Sequence, residues 1–257
     1  MKKTIIWALA ALTLLPSSLM AQDTDKKSEF EGFVQASLVS HYMWRGIDMA
    51  DISIQPEAGV AWKGLSLTAS GSAGFNKDDL QEIDLSLGYQ KWGFNIGVTD
   101  YWSTGVDERN RYFYFDEKKT AHQMEATLGY TCKYASLQAH TMFWGNDFKT
   151  NGDRAYSTFI ELSVPFRAAG LDWDARVGVT PMESAGYSTI IPSEVEGMGI
   201  IENHYFYGGE FACNMASLRA TKTLEYKNMK VPVFAEFHAN PDLQTARFII
   251  GLSLVAF

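Results

Sequence analysis

Between residues 65 and 75, Leu65, Leu67, Ala69, Gly71, Ala73 and Phe75 are interleaved with Ser66, Thr68, Ser70, Ser72 and Gly74. Successive side chains of an extended strand point to opposite faces, so this segment has one apolar face and one small, polar face. The pattern recurs from about Phe33 to the end of the chain. A closed membrane barrel satisfies every such strand at once, because the apolar face meets lipid and the other lines an enclosed interior.

The segments that carry the pattern are 33–44, 52–62, 65–75, 80–90, 93–102, 120–131, 135–144, 154–164, 171–180, 205–224, 231–239 and 244–257. They predict an all-β fold, a closed antiparallel transmembrane β-barrel of about 12 strands, with 10–14 as the range. The segment 205–224 also reads as two short strands with Asn214 to Ser217 as the turn. An even count returns both ends of the barrel to the same side of the membrane.

The connections sort alternately into two sets. Reversals at Lys63-Gly64, Lys91-Trp92-Gly93, Lys133-Tyr134, Pro165 to Gly170 and Lys227 to Lys230 are short, whereas 103–119, 145–153 and 181–203 are longer and polar. Short turns at one end and long loops at the other are expected of an outer-membrane barrel and not of a generic sandwich. Trp44, Trp62, Trp92, Trp102, Trp144 and Trp173 all fall near strand ends, where an indole can bury its ring and keep its N–H wet.

Lys2 and Lys3 precede an apolar run from Ile5 to Leu15 and the small residues that end at Ala21. Residues 1–21 therefore read as a cleaved signal peptide, 22–31 as a short periplasmic leader and 32–257 as one barrel domain. The compartment expected is the outer membrane of a Gram-negative envelope. Removing the two signal lysines from 22 basic residues leaves 20 against 30 acidic ones, a balance of −10. That excess argues against a nucleic-acid partner, which would call for a basic surface. Cys132 and Cys213 are too few for a disulfide scaffold, and a bond between them is permitted only if their Cβ atoms approach to about 4 Å.

Assigning the apolar set to lipid puts the other set inside. The pore-lining candidates are Arg45, Glu57, Glu82, Asp84, Glu125, His140, Glu161, Asp172, Asp174, Arg176, Arg219, Glu236, His238 and Arg247, with Gln35, His41, Gln55 and Gln138 beside them. A charge facing lipid at the midplane costs about 2–4 kcal/mol for Arg or Lys, which is the physical reason to turn these inward. Two readings stay open: carboxylates and arginines that pair across a filled lumen, or a water-filled path biased toward cations and polar neutral solutes.

Nucleophilic catalysis would need a Ser and an oriented His on one face. Ser40 adjoins His41, and adjacent strand residues point apart. No Gly-x-Ser-x-Gly, His-Glu-x-x-His or Gly-rich phosphate loop occurs. Asp172 and Asp174 share a face with Arg176, which reads as charge balancing. Neither a catalytic constellation nor a cofactor or metal site is expected.

Ser40-His41-Tyr42-Met43-Trp44-Arg45-Gly46-Ile47 resembles the Ser-x-Tyr-x-x-Arg-Gly signature of the TorF-like porin family, and Ile54-Gln55-Pro56-Glu57-Ala58-Gly59-Val60 onward to Gly74 is similar to it too. The stretches Tyr156 to Phe166 and Pro232 to Pro241 resemble uncharacterised Bacteroidetes-type outer-membrane β-barrel proteins. The resemblance implies an exported barrel that conducts nutrients, and likeness to outer-membrane proteins in general implies that the terminal Phe257 is read by the barrel-assembly machinery. The partners expected are outer-membrane lipid, that machinery and small polar solutes. Within the signature, Arg45 is expected to pair with a carboxylate such as Glu57 while Gly46 opens a turn, as a strand-end clamp or as an arginine in the constriction. A porin-like channel is the first functional expectation. Its alternatives are a closed barrel for envelope integrity or surface contacts through loops 103–119 and 181–203, and a lipid hydrolase at the barrel rim.

Overall fold

The computed structural model describes residues 30–77, 79–106, 109–192, 199–226 and 229–255. The expected signal peptide at 1–21, the leader up to residue 29, Asp107, Glu108 and the terminal Phe257 lie outside the described residues. The strands are β1 (Phe30–Val39), β2 (Tyr42–Trp44), β3 (Ile47–Ala50), β4 (Ser53–Trp62), β5 (Leu65–Gly74), β6 (Gln81–Lys91), β7 (Phe94–Ser103), β8 (His122–Thr131), β9 (Ser136–Gly145), β10 (Thr158–Ala168), β11 (Leu171–Thr180), β12 (Gly186–Pro192), β13 (Gly199–Tyr205), β14 (Ala212–Tyr226), β15 (Met229–Asn240) and β16 (Thr245–Val255).

A closed antiparallel barrel is made by β1-β16-β15-β14-β11-β10-β9-β8-β7-β6-β5-β4, with β4 returning to β1. The expected count of 12 strands is met. Closure leaves no edge, so each ladder hydrogen bond has a neighbour to go to. The remaining four strands form two hairpins, β2–β3 and β12–β13, both in connections at the loop end.

Alternation is strict where the sequence pattern is cleanest. Along β6, Ile83, Leu85, Leu87 and Tyr89 are exposed on the outside while Glu82, Asp84, Ser86 and Gly88 are buried toward the lumen. The outer surface continues through Phe94, Ile96, Val98, Leu128, Leu137, Leu162, Val177 and Leu218, all exposed. Water does not tolerate so broad an apolar belt on a soluble monomer.

Several sequence expectations are corrected. The first strand stops at Val39 and not at 44, because the chain turns inward after Ser40. The strand expected at 154–164 runs Thr158–Ala168, and Pro165 lies inside it. β10 pairs with β9 only up to Ser163, so the N–H that Pro165 lacks has no neighbour to meet there. Pro232 likewise lies just beyond Val233, where the pairing of β15 with β16 begins. The strand expected at 205–224 begins only at Ala212 and runs to Tyr226, because Tyr205 ends β13 and residues 206–211 connect the two; Asn214 to Ser217 lie within it and form no turn.

Large lumen rings are accommodated by glycine on the neighbouring strand. A Cβ at Gly178 would meet the Phe159 ring at 2.1 Å, and one at Gly251 would meet the Phe234 ring at 2.5 Å. Gly251→Ala is expected to cost about 1–3 kcal/mol by overpacking. Urea unfolding should show that loss, with partial recovery in the double variant Gly251→Ala, Phe234→Leu.

Candidate functional site: a hairpin folded into the barrel mouth

After Ser40 the chain neither continues as wall nor leaves the barrel. Residues 42–50 form a tight hairpin, with Tyr42 opposite Ala50, Met43 opposite Asp48 and Trp44 opposite Ile47. Its turn is Arg45-Gly46, with φ of 51° and 85°. Positive φ at both central residues belongs to a type I′ turn, the kind whose twist matches a short antiparallel hairpin. Gly46 takes that conformation without strain and must be small for a second reason: a Cβ there would lie 2.0 Å from the Asn214 carbonyl oxygen. The hairpin tip therefore presses on β14, across the mouth from its own root between β1 and β4.

Arg45 carries the tip. Its Nη1 and Nη2 donate to the Glu125 carboxylate at 2.5 and 2.8 Å, and Nη1 donates to the Tyr207 hydroxyl at 2.8 Å. Tyr101 donates to the same carboxylate at 3.1 Å, and His140 Nδ1 stands 3.3 Å from it. The Arg45 and Glu125 side chains are only 9% and 1% exposed. Such a bidentate pair compensates the cost of burying both charges because donor and acceptor forks match. Burial pushes the Tyr207 phenol above its ordinary range despite the nearby Arg45 charge, so it stays protonated and accepts the guanidinium's hydrogen bond.

Other contacts pin the hairpin around the ring. Tyr42 donates to Glu82 on β6 at 3.1 Å, Asn240 of β15 donates to the Gly46 carbonyl at 3.1 Å, and Arg247 of β16 donates to Asp48 at 2.9 Å. Trp44 packs at 5.6 Å from Tyr101, 5.6 Å from Phe206 and 5.9 Å from Tyr207, over an apolar cluster of Phe159, Tyr207 and Met215. The opposing wall is itself fixed: Asn214 donates to the Tyr207 carbonyl at 2.5 Å, and Ser184 Oγ accepts from the N–H groups of Tyr207 and Gly208 at 2.9 and 3.1 Å.

Two β-bulges place the receiving side chains. Gly178 faces Met215 while Val179 faces Cys213, which leaves Asn214 extra on β14. Met124 faces Trp144 while Glu125 faces Met142, which leaves Phe143 extra on β9. A bulge bends the strand and re-aims a side chain, and here both bulges sit beside groups that hold the hairpin.

The pairing expected between Arg45 and Glu57 is not made; Glu57 lies on β4 and accepts instead from Gln35 at 2.6 Å. Below the hairpin the candidates line the lumen in linked groups. Ser70 donates to Asp84 at 3.2 Å; Arg176 donates to Asp174 at 2.6 Å, and Ser163 to the same carboxylate at 2.6 Å. Arg219 donates to Glu236 at 2.5 Å, and His238 Nδ1 lies 2.9 Å from Glu236. Glu161 faces inward opposite Gln138. Asp172 pairs with Arg167 at the turn-end rim, so it stands apart from Asp174. His41 stands 3.6 Å from Asp51 in the loop and does not line the barrel. Ser40 Oγ accepts the Ile250 N–H at 3.0 Å. Cys132 and Cys213 sit at opposite ends of the wall and are not bonded to each other.

A second polar site escaped the sequence reading. Asp100 and His122 point outward near the loop end, His122 Nδ1 lying 3.0 Å from both oxygens of Asp100 and Nε2 lying 2.5 Å from the Tyr112 carbonyl. Tyr112, Phe115, Trp102 and Trp144 cover them, so part of loop 104–121 is strapped against the outer wall. His122 thus ties the loop to the wall, its Nε2 on the Tyr112 carbonyl and its backbone N–H donating to Thr120 Oγ1 at 3.1 Å. Of the surface expected from this loop, Phe113 remains 87% exposed.

No protein-family model matches the chain, and no curated protein matches it. Among solved structures it is similar to CdiB from Acinetobacter baumannii, at 11% identity over 89% of this chain and 60% of that one, with a TM-score of 0.36. The chain thus spans about 60% of the length of that structure. A likeness of this degree carries no argument about activity.

Gly46→Ala is expected to unseat the hairpin while leaving the barrel closed. Limited trypsin treatment reads this directly: cleavage after Arg45, protected in the parent, should become rapid in the variant, with the heat-dependent gel shift of a folded barrel unchanged.

Proposed function

We propose that this chain is an outer-membrane barrel that works as a narrow, gated channel for small polar solutes, with a preference for cations. The membrane part rests on the apolar outer belt and on the contrast between short turns at one end and long loops at the other. From Phe94 to Ser103, β7 rises about 30 Å, which at a tilt of about 40° projects to about 23 Å, close to the height of a lipid-facing band.

The observation that carries the channel is the chemistry of the lumen beneath one folded-in hairpin. Both amide atoms of Asn95, the hydroxyls of Ser72 and Ser217, Gln138 Oε1 and His238 Nε2 are buried without a protein partner among the described residues. Buried polar atoms of this kind are satisfied by water or by a polar solute, which supports a hydrated path. Glu57, Glu82, Asp84, Glu161, Asp174 and Glu236 outnumber Arg176 and Arg219 along it, which supports cation preference. A second reading is favoured by the hairpin's anchorage on β6, β8, β15 and β16: a barrel kept shut, used for envelope integrity.

Planar-bilayer recording separates the two. The parent protein is expected to show rare, brief openings, and a variant lacking residues 41–51, bridged by glycines, a persistent conductance with a reversal potential favouring cations. A folded deletion variant that stays silent would establish the shut barrel. Selectivity for anions would remove the charge argument. In the parent, Glu125→Gln weakens the latch by leaving Arg45 with an uncharged partner, at a cost of about 3–5 kcal/mol to the seated state, and should raise open probability.

A further inference from the structure

The short-turn end of the barrel carries cations in a regular relation to aromatic rings. Lys63 Nζ lies 5.1 Å from the Trp62 ring, Lys91 Nζ 4.4 Å from the Trp92 ring and Lys133 Nζ 4.5 Å from the Tyr134 ring. These belong to the successive turns β4–β5, β6–β7 and β8–β9. At the next turn, Lys222 leaves an outward position on β14 and donates to the Gly170 carbonyl at 3.2 Å, near the stacked Phe166 and Trp173. Trp62, Trp92 and Tyr134 are exposed on the outer surface, Trp92 at 82%.

The acidic residues at this end are sorted the other way. Glu31, Asp172 and Glu225 occupy positions that share the lumen-facing parity of Gln35, Asp174 and Arg219, and Asp172 is engaged by Arg167. Among the described residues, the outward side of this rim is therefore cationic and aromatic, although the barrel as a whole carries an acidic excess. An amphipathic lysine whose stem lies along a ring places its ammonium a few ångströms beyond the apolar belt. Phosphate is the group found at that height in a bilayer leaflet.

We propose that this rim is a binding surface for the headgroups of anionic phospholipids, one leaflet being selected by its phosphodiester charge. The proposal rests on the membrane reading above, and it adds the lipid class and the end of the barrel that takes it. The cations set the preference by charge, at a cost of about 1 kcal/mol, or about fivefold in binding, for each one removed. The rings set the depth, since indole and phenol favour the interface.

Native mass spectrometry of the folded full-length chain, titrated with phosphatidylglycerol or with phosphatidylcholine, tests this. The parent should bind phosphatidylglycerol more tightly, and the variant carrying Lys63→Gln, Lys91→Gln and Lys133→Gln should lose most of that preference while keeping the gel shift of a closed barrel. Inorganic phosphate should not displace the lipid, because a free ion lacks the acyl chains that bring it to the rim. Equal preference in parent and triple variant would overturn the proposal, as would an equal loss on replacing Lys118 and Lys119 at the loop end. Insertion into vesicles without lipid preference would remove this proposal alone; failure to enter any vesicle would remove the membrane reading with it.

Discussion

Everything in this molecule depends on the ring of antiparallel backbone hydrogen bonds closing between β1 and its two neighbours. Gln35 to Val39 pair with Val255 to Gly251 on one side, and the whole of β1, from Phe30 to Val39, pairs with β4 from Trp62 to Ser53 on the other. This joins the beginning of the described chain to its end, so the contact of longest sequence separation is also the one that abolishes the sheet's edges. Once the ring is closed, period two does the rest: it sorts oily side chains outward and polar ones inward without any further instruction. A single-residue slip would reverse that sorting along a whole strand, which is why register is so strongly specified here.

The wall was largely legible in the sequence because its signal is local and repeated. The strand count, the two classes of connection and the inward set around Glu82, Asp84, Glu125, Asp174, Arg219 and Glu236 all follow from alternation. What alternation cannot see is a segment that leaves the wall. Residues 42–44 keep strand-like chemistry, so they read as the end of the first strand; only Arg45 and Gly46 with positive φ, and the neighbours they meet across the mouth, turn them into a plug. Arg-Gly is a weak turn signal beside Asn-Gly or Asp-Gly. Glu125 lies 80 residues away in sequence, and nothing in one sequence ranks it above Glu57 as the partner.

The same limit explains the outer strap. Asp100 and His122 occupy outward positions, where alternation allows only apolar residues, and a single-strand reading has no reason to expect a polar pair there. Their answer is tertiary: aromatic residues of loop 104–121 shield the pair from whatever surrounds the barrel, and the Tyr112 carbonyl occupies the remaining imidazole nitrogen. The tryptophans divide along these lines. Trp62 and Trp92 stand on the outer surface, whereas Trp102 is covered by the strap and Trp44 has been drawn into the mouth.

A plug built for permanence would be expected to be apolar, since well-packed hydrophobic residues usually match or exceed a buried ion pair in stability. This one is mixed. Trp44 and Ile47 pack on Phe159, Tyr207 and Met215, but the tip is held by a guanidinium and a carboxylate that the barrel buries together. An apolar contact is lost within about 1 Å of displacement, whereas the attraction between the two charges falls off more gradually and, once they part, water stabilises each of them separately. A displaced hairpin would thus present hydrated charges where a purely apolar plug would present only apolar surface to water. The charged anchor is at the tip, farthest from the hairpin's root, while Tyr42 on Glu82 and Asp48 on Arg247 pin the arms behind it. The latch is thus held by charge as well as by packing, at the motif where the sequence departs from the repeating wall.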